Sequence, residues 1–193
     1  MHRGELLIDK NDFVLVVVDI QERLAAAMED RCTVISSAVK LIRLAALVGA
    51  PIIVTRQYPE GLGANVPEID EALLGAARAG ARVHALDKTA FCCSSESAFV
   101  EALESTGRHQ AVVLGMETHI CVTQTALALA EAGHRVHVPA DVCCSRNVLN
   151  HEISLDRMRA GGVQVTTSES VMYEAVAKAD TDEFRALLKI VKD

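Results

Sequence analysis

Tryptophan is absent from the 193 residues, and Phe and Tyr bring the aromatic share to only 3%. A core must therefore be packed from Ala, Val, Leu and Ile, which favours an α/β layer structure over an aromatic-rich sandwich or barrel. Basic charge is also short: 19 Lys and Arg, scattered along the chain, face 26 Asp and Glu, for a net charge of −7. No block of cations offers a footprint for nucleic acid or an anionic membrane. Long apolar runs are missing too. FVLVVV (13–18) is the longest and falls far short of a bilayer span. The N-terminal MHRGELLIDKNDF has no signal-peptide stretch, so a cytoplasmic, soluble protein is expected. Finally, no C-x-x-C or zinc-ribbon spacing links Cys32, Cys92, Cys93, Cys121, Cys143 and Cys144. In a chain with a large core and no export signal, reduced thiols are the expectation.

What is present is an alternation. Half of the residues are apolar, and the length fits one domain spanning 1–193. Strand-like runs occur at 13–20, 50–55, 82–86, 110–115, 134–140 and 163–167. Several are continuous and β-branched, as strands buried on both faces of a parallel sheet must be. Amphipathic stretches at 32–48, 67–79, 95–106, 119–132, 148–160 and 168–178 read as helices, with a last one near 181–191. Glycines 49, 80, 107, 133 and 161–162 stand where helices should stop, and Pro67 where one should start. The pattern predicts a doubly wound, three-layer α/β fold with a six-stranded parallel sheet in the order 3-2-1-4-5-6. Residues 56–67 form the longest irregular stretch.

Ligands of such folds bind beyond the carboxyl ends of the strands where strand order reverses, here between strands one and four. Strand one ends in Asp19, strand four leads to Cys121, and strand three ends in LDKTAFCC, bringing Lys88 to the same rim. Singly, each has a bland explanation: a turn cap, a surface charge, a small buried filler. Together they place a carboxylate, an ammonium and a thiol at one predicted edge. In METHICV, Thr118 is a candidate N-cap, which puts Cys121 in the first turn of a helix. Free N–H groups and the helix dipole there would lower a thiol pKa and form an oxyanion hole. Asp19 would serve as base and Lys88 would offset the negative charge.

The set VVVDIQ, DKTAF and LGMETHICVTQTA, continued by VTRQYPEGLG, ADVCCSRN and RMRAGGVQVTTSES, resembles the isochorismatase-like cysteine hydrolases over nearly the whole chain. Within them it is most similar to the isochorismatase domain-containing branch. The resemblance implies a catalytic triad of Asp19, Lys88 and Cys121, attacking an electrophilic carbon, usually that of an amide. It also implies a cis peptide at Met116–Glu117 and an oxyanion hole from the Glu117 and Cys121 N–H groups. Nicotinamidases of this superfamily carry an Asp-x-His metal site after the second strand. TRQYPEGLGAN has neither Asp nor His, so neither a metal nor nicotinamide is expected. Isochorismatase itself lacks a cysteine nucleophile, so Cys121 argues for covalent chemistry. The resemblance further implies a small-molecule substrate and a homo-oligomer. A fold kept for binding or scaffolding, without turnover, is the alternative.

Other residues complete the expected rim. Arg56, Gln57 and Tyr58 open the long loop and either contact substrate or form an oligomer interface. Phe91 stands where related enzymes place a pocket aromatic. His119, two residues before Cys121, lines the pocket or points to solvent; a Cys–His pair is disfavoured because Asp19 already supplies a base. Ser145, Arg146 and Asn147 reach the same rim, where Arg146 either orients a ligand or holds the loop. His84, His134 and His137 read as hydrogen-bonded structural histidines, and His2, His109 and His151 as surface positions. GLGANVP lacks a third glycine, so no dinucleotide cofactor is expected. The vicinal cysteines raise a weaker possibility of thiol redox chemistry.

Overall fold

In the computed structural model, which describes residues 6–192, the apolar run Phe13–Val18 is a strand, β1, with every side chain buried. Continuous burial of this kind requires cover on both faces. The chain then runs through α1 (Glu22–Ala25), α2 (Arg31–Val48), β2 (Ile52–Gln57), α3 (Pro59–Leu62), α4 (Pro67–Arg78), β3 (Val83–Lys88) and α5 (Ser97–Thr106). It continues through β4 (Gln110–Met116), α6 (Thr123–Glu131), β5 (Arg135–Pro139), β6 (Cys143–Cys144), α7 (Val148–Ala160), β7 (Gln164–Thr166), α8 (Ser168–Val176) and α9 (Asp182–Lys192). The sheet is parallel, in the order β3-β2-β1-β4-β5-β7. On one face α2 packs against α4, α8 and α9; α5, α6 and α7 cover the other.

The expected order holds, with the 163–167 run supplying the last strand, but the sheet has seven strands rather than six. The extra one, β6, pairs with the end of β4 through Gly115↔Cys143 and Met116↔Cys144. Its origin is geometric. The β4–β5 ladder covers only Gln110–Val112, so the last residues of β4 lack that neighbour and the Cys143–Cys144 segment takes the open edge. Two buried cysteines carry no strand periodicity, so the sequence hides them. The 56–67 stretch is also more ordered than expected: β2 extends through Gln57 and α3 follows at once. His2 lies outside the described residues.

Register places the site. Val18 of β1 pairs with Thr55 on one side and Gly115 on the other, so Asp19 leaves the sheet while β2 continues to Gln57 and β4 to Met116 on either side of it. Gly115 has φ 127°, and a Cβ there would overlap the Val18 carbonyl, so β4 approaches β1 this closely only with glycine.

Candidate functional site

Asp19 leaves β1 with φ 53°, a left-handed conformation that Asp tolerates better than most residues, and is fully buried. Its Oδ1 accepts from Thr55 Oγ1 at 2.8 Å, and its Oδ2 forms an ion pair with Lys88 Nζ at 2.7 Å. Lys88 closes β3 and is 4% exposed; its ammonium also donates to Gln57 Oε1 at 2.6 Å. Burial alone would push the Lys88 pKa down, but Asp19, helped by Cys93 and Cys121, outweighs it and holds the group above its ordinary value. Cys121, 5% exposed, lies near enough to Asp19 and Lys88 for its thiol to feel both charges. Asp19 and Lys88, two of the rim residues singled out in the sequence, are in direct contact, and the third, Cys121, is coupled to both electrostatically.

The expected low thiol pKa is overturned. Burial raises Cys121, the Asp19 carboxylate raises it further, and Lys88 only partly offsets them. The helix start differs as well. Thr118–Val122 is a π-turn, and α6 begins only at Thr123. Thr118 is not a cap: its Oγ1 pairs with His151 Nδ1 at 2.9 Å, and its carbonyl accepts from Thr123 Oγ1 at 2.6 Å. The Ile120 and Val122 N–H groups both donate to Glu117 O, so much of the donor potential of the turn is already used. The Met116–Glu117 peptide is cis, as the resemblance implies.

The remaining candidates separate. Gln57, expected at the substrate, is 8% exposed, and its amide is engaged by Lys88 and Thr89 O. Tyr58, the next residue, and Phe91 are each 55% exposed. His119 is half-buried, and its Nδ1 meets Ser145 Oγ at 2.9 Å. Arg146 takes the loop-holding role: its backbone N–H and Nε both donate to the buried Glu117 carboxylate, at 2.9 and 3.1 Å. His151 is not a surface residue but is half-buried against Thr118. Nor are the strand histidines fully satisfied. His84 Nε2, His134 Nδ1 and His137 Nε2 lack hydrogen-bond partners, and burial holds His137 down at about 4, hence neutral.

Three participants escaped the sequence. Thr55 steadies Asp19, and a threonine within the apolar run IIVT was the available signal. Gln21, the last residue of VVVDIQ, is fully buried and binds Gln57 N, Gln57 O and Gly63 O with its amide. Cys93 lies behind the cluster, its thiol 3.9 Å from Thr55 Oγ1, where burial pushes it up to about 11 despite Lys88. All six cysteines are free. Among the described residues, no group of three or more His, Cys, Asp or Glu side chains is arranged to hold a metal ion. No helix there is long and apolar enough to cross a membrane. An open groove of about 1920 Å³ runs between α2 and α4, and none of Asp19, Lys88 or Cys121 lines it. The buried charges of Asp19 and Lys88 converge instead at the strand ends.

Comparison with known proteins agrees with this fold. The isochorismatase domain-containing protein 1 of Salmo salar is 36% identical over 179 residues, 93% of this chain and 60% of its own length. The chain thus spans under two thirds of that relative. The structure of MAR1 ribonuclease from Caenorhabditis elegans superposes with a TM-score of 0.87 at 30% identity, covering 97% of this chain and 93% of the other. The Escherichia coli YcaC product, described as an octameric hydrolase of unknown specificity, gives 0.85 at 26% identity, covering 98% and 92%. A family model for the isochorismatase domain matches residues 13–170. The chain has the isochorismatase-like hydrolase fold and belongs to the isochorismatase family.

Proposed function

We propose that this protein is a cysteine hydrolase of a small amide or related C–N compound, with Cys121 as nucleophile, Asp19 as base and Lys88 as fixed positive charge. One observation carries the reading: the buried Asp19 carboxylate is paired with Lys88 at 2.7 Å, and the buried Cys121 thiol lies within the field of both. Since burial and Asp19 keep the thiol protonated at rest, thiolate forms as attack proceeds. Asp19 takes the thiol proton while sulfur bonds to the carbonyl carbon, and the oxygen gains negative charge at the Glu117 and Cys121 N–H groups. Collapse expels the amine, which leaves with the proton from Asp19, and a thioester remains. Water, deprotonated by Asp19, then adds to the thioester; collapse releases the acid and returns the proton to the sulfur. No step calls for a metal or an organic cofactor.

A small, uncharged substrate is favoured because the pairs Asp19–Lys88 and Glu117–Arg146 already balance each other. A net charge of −7 disfavours RNA, whatever the C. elegans relative cleaves. The octameric E. coli neighbour supports a homo-oligomer, which light scattering on the purified chain would check. The test of the activity is wild type against Cys121→Ala on small primary amides, ureas and carbamoyl compounds, with intact-mass detection of an acyl adduct. An adduct and turnover lost in the variant are expected; equal rates would end the proposal.

A silent scaffold is the second reading, and the raised Cys121 pKa favours it. It predicts a thiol with no acyl intermediate on any amide in the panel.

A further inference from the structure

Lys88 has more oxygen around its ammonium than the ion pair with Asp19 supplies. Beside Asp19 Oδ2 at 2.7 Å stand Gln57 Oε1 at 2.6 Å, Ala90 O at 3.2 Å and Phe91 O at 3.4 Å. An ammonium has three protons, so these four oxygens leave none free. The Gln57 amide is itself anchored. Its Nε2 donates to Thr89 O at 2.7 Å, its backbone N–H donates to Gln21 Oε1 at 2.8 Å, and its carbonyl accepts from Gln21 Nε2 at 3.1 Å. Gln57 and Lys88 are also direct partners in the β2–β3 register. Further out, Glu96 Oε1 accepts the Thr89 and Ala90 N–H groups at 2.9 and 2.8 Å, which fixes the turn whose carbonyls meet the ammonium.

We propose that Gln57 is a positioning residue, a neutral acceptor that keeps the buried Lys88 ammonium charged and aimed at the Asp19–Cys121 pair. The proposal rests on the reading of Asp19, Lys88 and Cys121 given above. A buried ammonium short of acceptors tends to lose its proton. A second carboxylate would retain the proton but cancel the charge and oppose a thiolate at Cys121. An amide and two peptide carbonyls hold the cation without neutralising it, so its field acts on the sulfur as negative charge develops there. This explains why a polar residue at the mouth of a long loop points inward, at 8% exposure, instead of toward a ligand.

The test needs no substrate. The second-order rate of Cys121 alkylation by iodoacetamide is followed from about pH 6 to about pH 10, a range that brackets ordinary thiols. Peptide mapping locates the label in wild type, Gln57→Met, Gln57→Glu and Lys88→Met, and thermal unfolding is recorded in parallel. Gln57→Met is expected to slow alkylation ~3- to 10-fold near neutrality and move the profile to higher pH. Gln57→Glu still holds Lys88 but adds a carboxylate, so it is expected to move the profile the same way, while any earlier unfolding reports the lost Nε2 bond to Thr89 O. A purely structural role would move unfolding and leave the profile alone. Gln57→Glu carries the test by itself if Gln57→Met does not fold. If both Gln57 profiles overlay wild type while Lys88→Met shifts, the positioning role is wrong and the triad reading survives. If Lys88→Met leaves the profile in place as well, the triad reading fails and this proposal with it.

Discussion

Two carboxylates flank one strand. Asp12 immediately precedes β1 and Asp19 immediately follows it, so each sits at one end of the same sheet beside a cation. Asp12 accepts from the His109 backbone N–H at 3.0 Å, from His109 Nδ1 at 2.9 Å and from Arg135 at 2.8 Å. Its partners lie in water, with His109 at 78% and Arg135 at 43% side-chain exposure, whereas Asp19 and Lys88 are at 0% and 2%. The partner distances are similar, so distance cannot separate the two clusters; dielectric does. Water screens the Asp12 cluster, which ties the loop before β1 to the starts of β4 and β5 and does little else. The Asp19 cluster lacks that screening, so each charge there depends on its partner and influences any group nearby, Cys121 included.

The sharpest way to break the comparison is to remove one member of the ion pair at each end. Lys88→Met leaves the Asp19 carboxylate buried and unpaired, and should lower unfolding stability by ~3–5 kcal/mol in urea titrations. Adding Asp19→Asn should restore part of that loss, because the orphaned charge goes with it. A third polar group asks what burial does where the only charge nearby, Arg135, is of the same sign as the protonated ring. His137 on β5 is 2% exposed, with Nε2 unpartnered and a pKa held down to about 4. The fold therefore favours the neutral ring. Its contribution is complete above the unfolded value near pH ~6.5 and is lost as pH falls through 4, by about 3 kcal/mol in all. His137→Leu should flatten the acid side of the stability profile relative to wild type. The smallest effect is expected at the open end, where Asp12→Asn should cost under ~1 kcal/mol and less still in high salt. A loss there as large as that of Lys88→Met would overturn the view that dielectric separates the two ends.

Much of this was legible in the chain. The buried strands announced themselves as continuous β-branched runs, because a strand covered on both faces has no solvent side to alternate with. Asp19, Lys88 and Cys121 were found because topology fixes which strand ends are neighbours, and the structure does bring them together. Other features were not legible. β6 is two residues long and has no period. Thr118 looked like a helix cap, but His151 from α7 claims its hydroxyl, and the turn opens into a π conformation. Gln57 looked like a ligand contact because it opens an irregular stretch, yet β2 carries it into the sheet, where Lys88 is its register partner.

Periodicity and chain reversal, which are local and combinatorial properties, were enough to read the layers, the order of the six main strands and the rim that Asp19, Lys88 and Cys121 share. Their protonation and their neighbours came from packing. A thiol at the start of a helix is expected to be acidic when solvent and free N–H groups surround it. Cys121 is held protonated because packing removes the water and sets it against Asp19, and desolvation together with a like charge outweighs the single cation at Lys88.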